Sequence, residues 1–310
     1  NFWRRYPKSQ QAVFLVTSYK PLANAFEGYH VDATAIDKLS VFQPSPGQDS
    51  YDKIMEVCED LAESVTLIKG RPDLHAAYRC VFHSVLQFNL GGEFVKRGWL
   101  EALVVGDTRC GKSKAYQLMS EHYAVGTLVD CKMQTIAGIL GSVQQAPSGE
   151  FYALAGLLPQ NDGGIVCFDE FAARNRGGDC VGALSSTRAE GVVRINKAAS
   201  GEFKARVRSI WLANPGLGEL MAELPDMGCE LVPRVILQPE DIARFDFAMA
   251  VSQLEVPVNL VNRIHDVPPP KYDSETSREL IRWVYSRKPD QIRFDNSALE
   301  YLPQISEWLS

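Results

Sequence analysis

The eight residues GDTRCGKS (106–113) limit what this chain can fold into more than any other segment. They follow the apolar run ALVV (102–105) and lead into KSKAYQLMSEHY, whose composition reads as a helix. The spacing G-x-x-x-x-G-K-[ST] between a strand and a helix serves phosphate chemistry. Glycines let backbone N–H groups wrap anionic oxygens, a lysine neutralises the β- and γ-phosphates, and a hydroxyl faces Mg2+. On that reading the candidate ATP-contacting residues are Gly106, Asp107, Thr108, Arg109, Cys110, Gly111, Lys112, Ser113 and Lys114, with Ser113 on the metal. The rival reading, a glycine-rich turn without a ligand, does not account for the strand before the loop and the helix after it.

A phosphate loop calls for an acid at the end of a partner strand. IVCFDE (165–170) supplies it, 57 residues after Lys112. Four apolar residues are followed by Asp169, placed beside the metal, and by Glu170, placed to orient or deprotonate an attacking water. Two consecutive acids favour hydrolysis over nucleotide sensing. With ALVV and GIVCF (164–168), the runs GTLVD (126–130), SIWLA (209–213) and FAMAV (247–251) make five short apolar segments separated by helices or loops. They predict an α/β fold with a mostly parallel five-stranded sheet covered on both faces. SIWLANP carries Asn214 before its final proline, an amide placed to hold the water or γ-phosphate; a turn-forming Asn-Pro pair explains it equally well. Arg244, just before the last run, is either a surface charge or an arginine finger reaching a neighbouring subunit's ATP.

Outside these runs, residues 11–16 read as a short strand and Phe42–Ser50 as a proline- and glycine-bearing linker. Helical patterns cover DKIMEVCEDLAESV, with Ile54, Val57, Leu61 and Val65 on one face, and RPDLHAAYRCVFHSVLQF, where Pro72 suits a first turn. A hairpin is expected between Gly191 and Arg208, a second linker over Asp266–Asp273, and a helix in SRELIRWVYSR. The expected division is residues 1–50 as the tail of an upstream domain with its connector, 51–265 as the core, and 266–310 as a linker and the start of a helical lid. Because Asn1 rather than Met opens the chain, its ends read as cut from something longer. The seven cysteines are scattered and form no C-x-x-C pair, which argues against a zinc ribbon and a disulfide framework and for an intracellular setting. No apolar run approaches the ~20 residues of a membrane span.

Taken in order, GDTRCGKS, NDGGIVCFDEF, SIWLANP and IARFDF resemble the Walker A, Walker B, sensor-one and arginine-finger motifs of the minichromosome maintenance (MCM) helicases, a family of AAA+ ATPases. AGILGSVQQAPSGEFYALAGLLPQNDGG (137–164) is similar to the family's helix-two insert: a small-residue turn, an irregular polar loop, then a Gly-Glu-aromatic start to the next helix. VVRINKAASGEFKARVRS (192–209) resembles its pre-sensor hairpin, with Lys197 at the tip lysine. The resemblance runs from about Leu61 to the C-terminus; residues 10–20 resemble the last strand of the family's N-terminal OB-fold. It implies an AAA+ P-loop NTPase with both inserts, ATP and Mg2+ as ligands, Asp169 and Ser113 on the metal, and catalytic roles for Lys112, Asp169, Glu170, Asn214 and Arg244. It also implies a hexamer of neighbouring subunits acting on DNA in replication, nuclear in a eukaryote and cytoplasmic in a prokaryote or virus. The chain departs from the pattern at Thr108, where the family has proline, and in AARNRGGDCVG, where the family has an acid-rich helix. The family's sensor-two arginine is expected beyond Ser310.

The net charge of −6 lowers the expectation of nucleic-acid binding, but phosphate backbones are held by local clusters. Between Thr187 and Ser209 lie Arg188, Arg194, Lys197, Lys204, Arg206 and Arg208 against only Glu190 and Glu202. Arg194, Lys197 and Lys204 are the candidate DNA contacts, made to the backbone of single-stranded or duplex DNA because no aromatic platform interleaves the charges. A merely solvated hairpin competes with this reading. So do a protein-remodelling ATPase of the magnesium-chelatase or MoxR type, which carries the same two inserts, and a nucleotide-bound structural subunit. The basic cluster and the ARFD sequence favour an ATP-dependent, ring-forming helicase or translocase.

Overall fold

A computed structural model describes residues 2–5, 12–15, 26, 29–174, 180–214, 220–224, 232–236, 238–256 and 267–309. Pro215, residues 175–179 of the segment after the Asp-Glu pair, Cys229 and Asp266 lie outside them. Two small antiparallel hairpins come first: β1 (Phe2–Arg5) with β2 (Ala12–Leu15), and β3 (Phe88–Leu90) with β4 (Glu93–Val95). The five apolar runs form β5 (Glu101–Gly106), β6 (Thr127–Asp130), β9 (Ile165–Asp169), β12 (Arg208–Ala213) and β13 (Phe247–Val251). They pair in parallel in the order β13-β5-β12-β9-β6. The α/β P-loop fold expected from the sequence is the one observed.

The sheet forms from unbroken apolar runs because both of its faces are covered. Leu103, Val105, Val166, Phe168 and Trp211 point into one core, and Ala102, Val104, Cys167, Ile210 and Leu212 into the other. Helices α3 (Pro72–Phe82) and α4 (Lys112–Tyr123) cover the second face with Leu74, Tyr78, Phe82, Tyr116, Met119 and Tyr123. Phe82 stacks on Tyr116 at 5.6 Å, and a buried side chain of this size contributes about 1.5–3 kcal/mol. On the first face Trp211 stacks on Phe168 at 4.2 Å and meets Phe171 and Phe245 edge-on. Two antiparallel hairpins also lie on this side, β7 (Gly141–Gln145) with β8 (Phe151–Ala155) and β10 (Val192–Asn196) with β11 (Ser200–Lys204).

Three sequence expectations change. Residues 141–155 form the β7–β8 hairpin, so Gly149-Glu150-Phe151 opens a strand and not a helix. Its ladder packs against β10–β11 through two glycines. A Cβ on Gly141 would lie 2.8 Å from Ile195 Cδ1, and one on Gly201 2.7 Å from Ala153 Cβ. The helix expected through Phe88 stops at Phe82. Buried Arg208 takes the Ser84 carbonyl at 2.6 Å, which a continuing helix would bond internally, and Gly91-Gly92, both at positive φ, turn β3 into β4. In α2 (Ser50–Asp60) Val57 is buried, but Ile54 is 45% exposed; Lys53 is buried instead, with its ammonium over the Tyr272 ring.

Residues 29–42, read as part of a connector, dock on the helix Ser274–Tyr285. Beside α1 (Ala33–Leu39), Tyr29 donates to Glu279, Lys38 pairs with Glu275 at 2.7 Å, and Phe42 stacks on Tyr272. A further helix, Asn296–Leu309, follows the helix Ser274–Tyr285.

At the foot of the sheet Glu101, 1% exposed, accepts from Arg188 Nε at 2.5 Å, and the guanidinium lies over the Trp211 and Phe245 rings. Removing one partner strands the other charge in the core. Glu101→Gln should therefore lower stability by about 3–5 kcal/mol in urea unfolding, and a Glu101→Leu/Arg188→Met double variant by less.

Candidate nucleotide-binding site

The loop between β5 and α4 is held from below by contacts that only some residue types permit. Gly106 runs so close to β13 that a Cβ there would lie 2.4 Å from the Val251 carbonyl oxygen. Gly111 sits at φ +85°, where a side chain is strained, and a Cβ would meet Ile68 at 2.9 Å. The Asp107 N–H donates to Val251 O at 3.0 Å. Its carboxylate, 3% exposed, accepts from Met221 N–H at 2.8 Å, Gln253 N–H at 2.9 Å and Ser252 Oγ at 3.2 Å. Asp107 thus ties the loop to two flanking segments, and its side chain is fully engaged away from the loop's mouth. The Cys110 thiol donates to Asp107 O at 2.6 Å, and burial pushes its pKa up. Tyr78 Oη caps the inner side of α4 by donating to Lys112 O at 3.0 Å.

Lys112 is 5% exposed, and its ammonium lies folded inside the loop. It donates to Gly106 O at 2.8 Å, Asp107 O at 2.7 Å and Asn214 Oδ1 at 3.1 Å. Burial lowers its pKa, and the neighbouring Cys110, Asp169 and Asp107 oppose that shift. Parallel pairing of β12 beside β5 brings Asn214 to Lys112, 102 residues away in sequence. On the other side of β12, β9 ends at half-buried Asp169, in register with Asp130 of β6. Glu170 follows at φ +54°, a left-handed conformation unusual for a residue with a side chain. Ser113 is half-buried in the first turn of α4, while Thr108, Arg109 and Lys114 are exposed.

Sequence reasoning missed Lys132. Its ammonium pairs with the Glu170 carboxylate, which raises the lysine's pKa. The contact depends on β6 lying beside β9, with Cys131 N–H donating to Asp169 O at 3.0 Å. Nothing in the spacing of TLVDCKM encodes that register.

Arg244 is not part of this cluster. Its carbonyl accepts from Arg97 at 3.3 Å, and nearby Asp246 N–H donates to Glu101 O at 3.0 Å, at the first residue of β5. Six residues of β5 separate that end from the phosphate loop, about 16 Å at ~3.3 Å per residue. An arginine side chain does not span that distance, so Arg244 does not reach the loop of its own chain.

The basic hairpin is less positive than its composition. Arg188 is buried on Glu101, Arg206 pairs with Asp162 at 2.7 Å, and Arg208 is 1% exposed, donating to Ser84 O and Gly163 O. Arg194 is engaged by Glu190 at 2.5 Å and Glu202 at 3.2 Å. Lys197, beside the β10–β11 turn, and Lys204 are exposed and form no ion pair among the described residues.

The family model described as the MCM P-loop domain matches residues 48–255, from α2 to just past β13. The chain belongs to the MCM family. Among its curated relatives, the DNA replication licensing factor MCM5 of Arabidopsis thaliana is 25% identical over 268 residues, covering 82% of this chain and 35% of the relative. The minichromosome maintenance protein MCM of Saccharolobus solfataricus is 31% identical over 201 residues, 62% of this chain and 28% of that protein. The chain therefore spans about a third of the length of such relatives. As an MCM P-loop module it carries a nucleotide-binding loop, and among the described residues no helix is long and apolar enough to cross a membrane.

In this MCM chain, nucleotide at a hundredfold excess over its Kd should stabilise the wild type by about 2.7 kcal/mol. Lys112→Ala should show little or no such gain in a thermal-shift titration with ADP or ATP.

Proposed function

We propose that this module is the ATP-hydrolysing motor of a ring that moves along DNA, with residues 51–265 as the motor core. The observation that supports the reading is the hydrogen bond from Lys112 to Asn214 at the C-terminal end of β12, beside the strand β9 that runs into Asp169 and Glu170. Lys112 is already oriented into the loop and exchanges its carbonyl partners for phosphate oxygens. Among the described residues no cluster of three or more His, Cys, Asp or Glu could hold a metal by itself. Ser113 and Asp169 instead offer the small oxygen set suited to Mg2+, which takes one or two protein ligands and completes its shell with water and substrate phosphate. Bound there, Mg2+ neutralises charge on the β- and γ-phosphate oxygens. Glu170 orients or deprotonates the attacking water, and Asn214 holds that water or the γ-phosphate. The Lys132 ion pair occupies the Glu170 carboxylate, so it must open before turnover.

Arg244 lies too far from its own loop to act there, which supports a finger working in trans within a hexamer. Glu170→Gln should keep ATP binding and abolish hydrolysis in the assembled protein. Mixing Lys112→Ala with Arg244→Ala subunits, each inactive alone, should restore part of the ATPase through mixed interfaces that regain one intact site. Normal hydrolysis by Glu170→Gln would refute the catalytic assignment, and mixed rings without recovery would refute action in trans.

The DNA reading rests on Lys197 and Lys204, exposed on a hairpin one strand away from Asn214 in the chain, with Arg194 held between its two acids. These residues contact the phosphate backbone. Lys197→Ala should weaken binding similarly across sequences and reduce the slope of log K against log salt by about one. Basal ATPase should persist, because the lysine lies outside the phosphate site. A full-length Lys197→Ala protein that binds and unwinds DNA like the wild type would favour protein remodelling instead.

A further inference from the structure

Four non-glycine residues among those described have positive φ: Leu67 at +59°, Arg109 at +67°, Ala124 at +54° and Glu170 at +54°. Ala124 ends α4, an ordinary place for a left-handed residue. Glu170 belongs to the acid pair. The other two, Leu67 and Arg109, line one pocket of about 180 Å³ beside the phosphate loop, together with Ile68, Gly111, Gln253 and Val256. An L-residue in this conformation costs roughly 1–2 kcal/mol, and such strain persists where the surroundings enforce it, commonly at ligand sites.

The lining of the pocket is mixed in chemistry. Leu67 and Ile68 present aliphatic surface, and Ile68 packs against Gly111 closely enough to exclude any side chain there. Arg109, which lines the same pocket, is exposed and makes no hydrogen bond or ion pair with another described residue. The other two basic residues of the pocket are engaged: Lys69 pairs with Glu63 at 2.9 Å, and Arg71 with Asp73 at 2.8 Å and with Glu255. A planar guanidinium at the rim of a pocket that aliphatic side chains also line suits a flat aromatic ring, because Arg stacks on π faces and is weakly hydrated.

We propose that Arg109 is a nucleotide-positioning residue whose side chain closes over the base of the bound nucleotide and holds it against Leu67 and Ile68. The inference rests on the nucleotide-binding reading and deepens it: the backbone of the loop binds phosphate, while this one side chain of the loop turns sideways to bind the base. Glycine at position 109 would relieve the strain and lose the clamp.

The test measures ATP and inorganic tripolyphosphate binding by calorimetry, with Mg2+, in the full 310-residue chain and in Arg109→Gly and Arg109→Lys variants. Arg109→Gly should weaken ATP binding roughly tenfold, the loss of a desolvated cation–π contact, while tripolyphosphate binding changes less than about twofold. Arg109→Lys should fall between the two, because an ammonium keeps the charge without the planar face. The nucleotide-free Arg109→Gly protein should melt no lower than the wild type, since relief of strain offsets the added freedom of glycine in the unfolded chain. Equal ATP affinity in wild type and Arg109→Gly overturns the proposal. So does a parallel loss of tripolyphosphate affinity, which would make Arg109 a phosphate ligand, and so does a lowered melting point, which would make its role structural. A wild-type chain that binds neither probe overturns the nucleotide-binding reading itself.

Discussion

Parallel pairing of β12 with β5 on one side and β9 on the other is the arrangement on which the rest of the molecule depends. All six residues of β5 and of β12 are buried, so this part of the sheet has neither a wet face nor an open edge. Burial on both faces leaves the strands one stable register, because a slip of one residue would exchange the side chains that face the two cores. That register sets the phosphate loop, Asn214 and Asp169 side by side at the strands' C-terminal ends. Chemistry is concentrated there because carbonyls and side chains at strand ends need not be buried, whereas everything below them must be apolar or paired. Arg188 with Glu101, and Arg208 with the carbonyls of Ser84 and Gly163, are the paired exceptions.

Much of this could be read in the residues. The five strands were legible because an uninterrupted apolar run ending in a turn or an acid has few other uses in a chain of this kind. The loop was legible because glycines, a lysine and a serine at this spacing, between a strand and a helix, form a recognisable pattern. Contacts made across the sheet were not. Lys132 meets Glu170 only because β6 lies beside β9, and local sequence carries no trace of that adjacency. The basic segment misled in a second way. Counting Arg188, Arg206 and Arg208 as surface charge ignores that a guanidinium can be buried when carboxylates, carbonyls and ring faces replace its water. The β7–β8 hairpin was hidden because alternation in SVQQ and FYALA is short, and its stability comes from packing on β10–β11 through Gly141 and Gly201.

Asp107 shows how the loop's function and the fold's stability share atoms. Its carboxylate gathers N–H groups from Met221 and Gln253, so the segments after β12 and β13 are both anchored to the residue that begins the phosphate loop. The loop's shape is then inherited from three parts of the chain rather than from its own eight residues. A variant there would disturb binding without touching a phosphate contact.

The docking of residues 29–42 on the helix Ser274–Tyr285 has a mechanical consequence. That helix also rests on α4: Arg278 donates to the carbonyls of Glu121 and His122, and Ser274 Oγ hydrogen-bonds to His122. The helix that begins at Lys112 therefore ends against the helix Ser274–Tyr285, which in turn carries residues 29–42. A displacement of the helix Ser274–Tyr285 would therefore strain two sets of contacts at once, those it makes to α4 and those that Tyr29 and Lys38 make to Glu279 and Glu275.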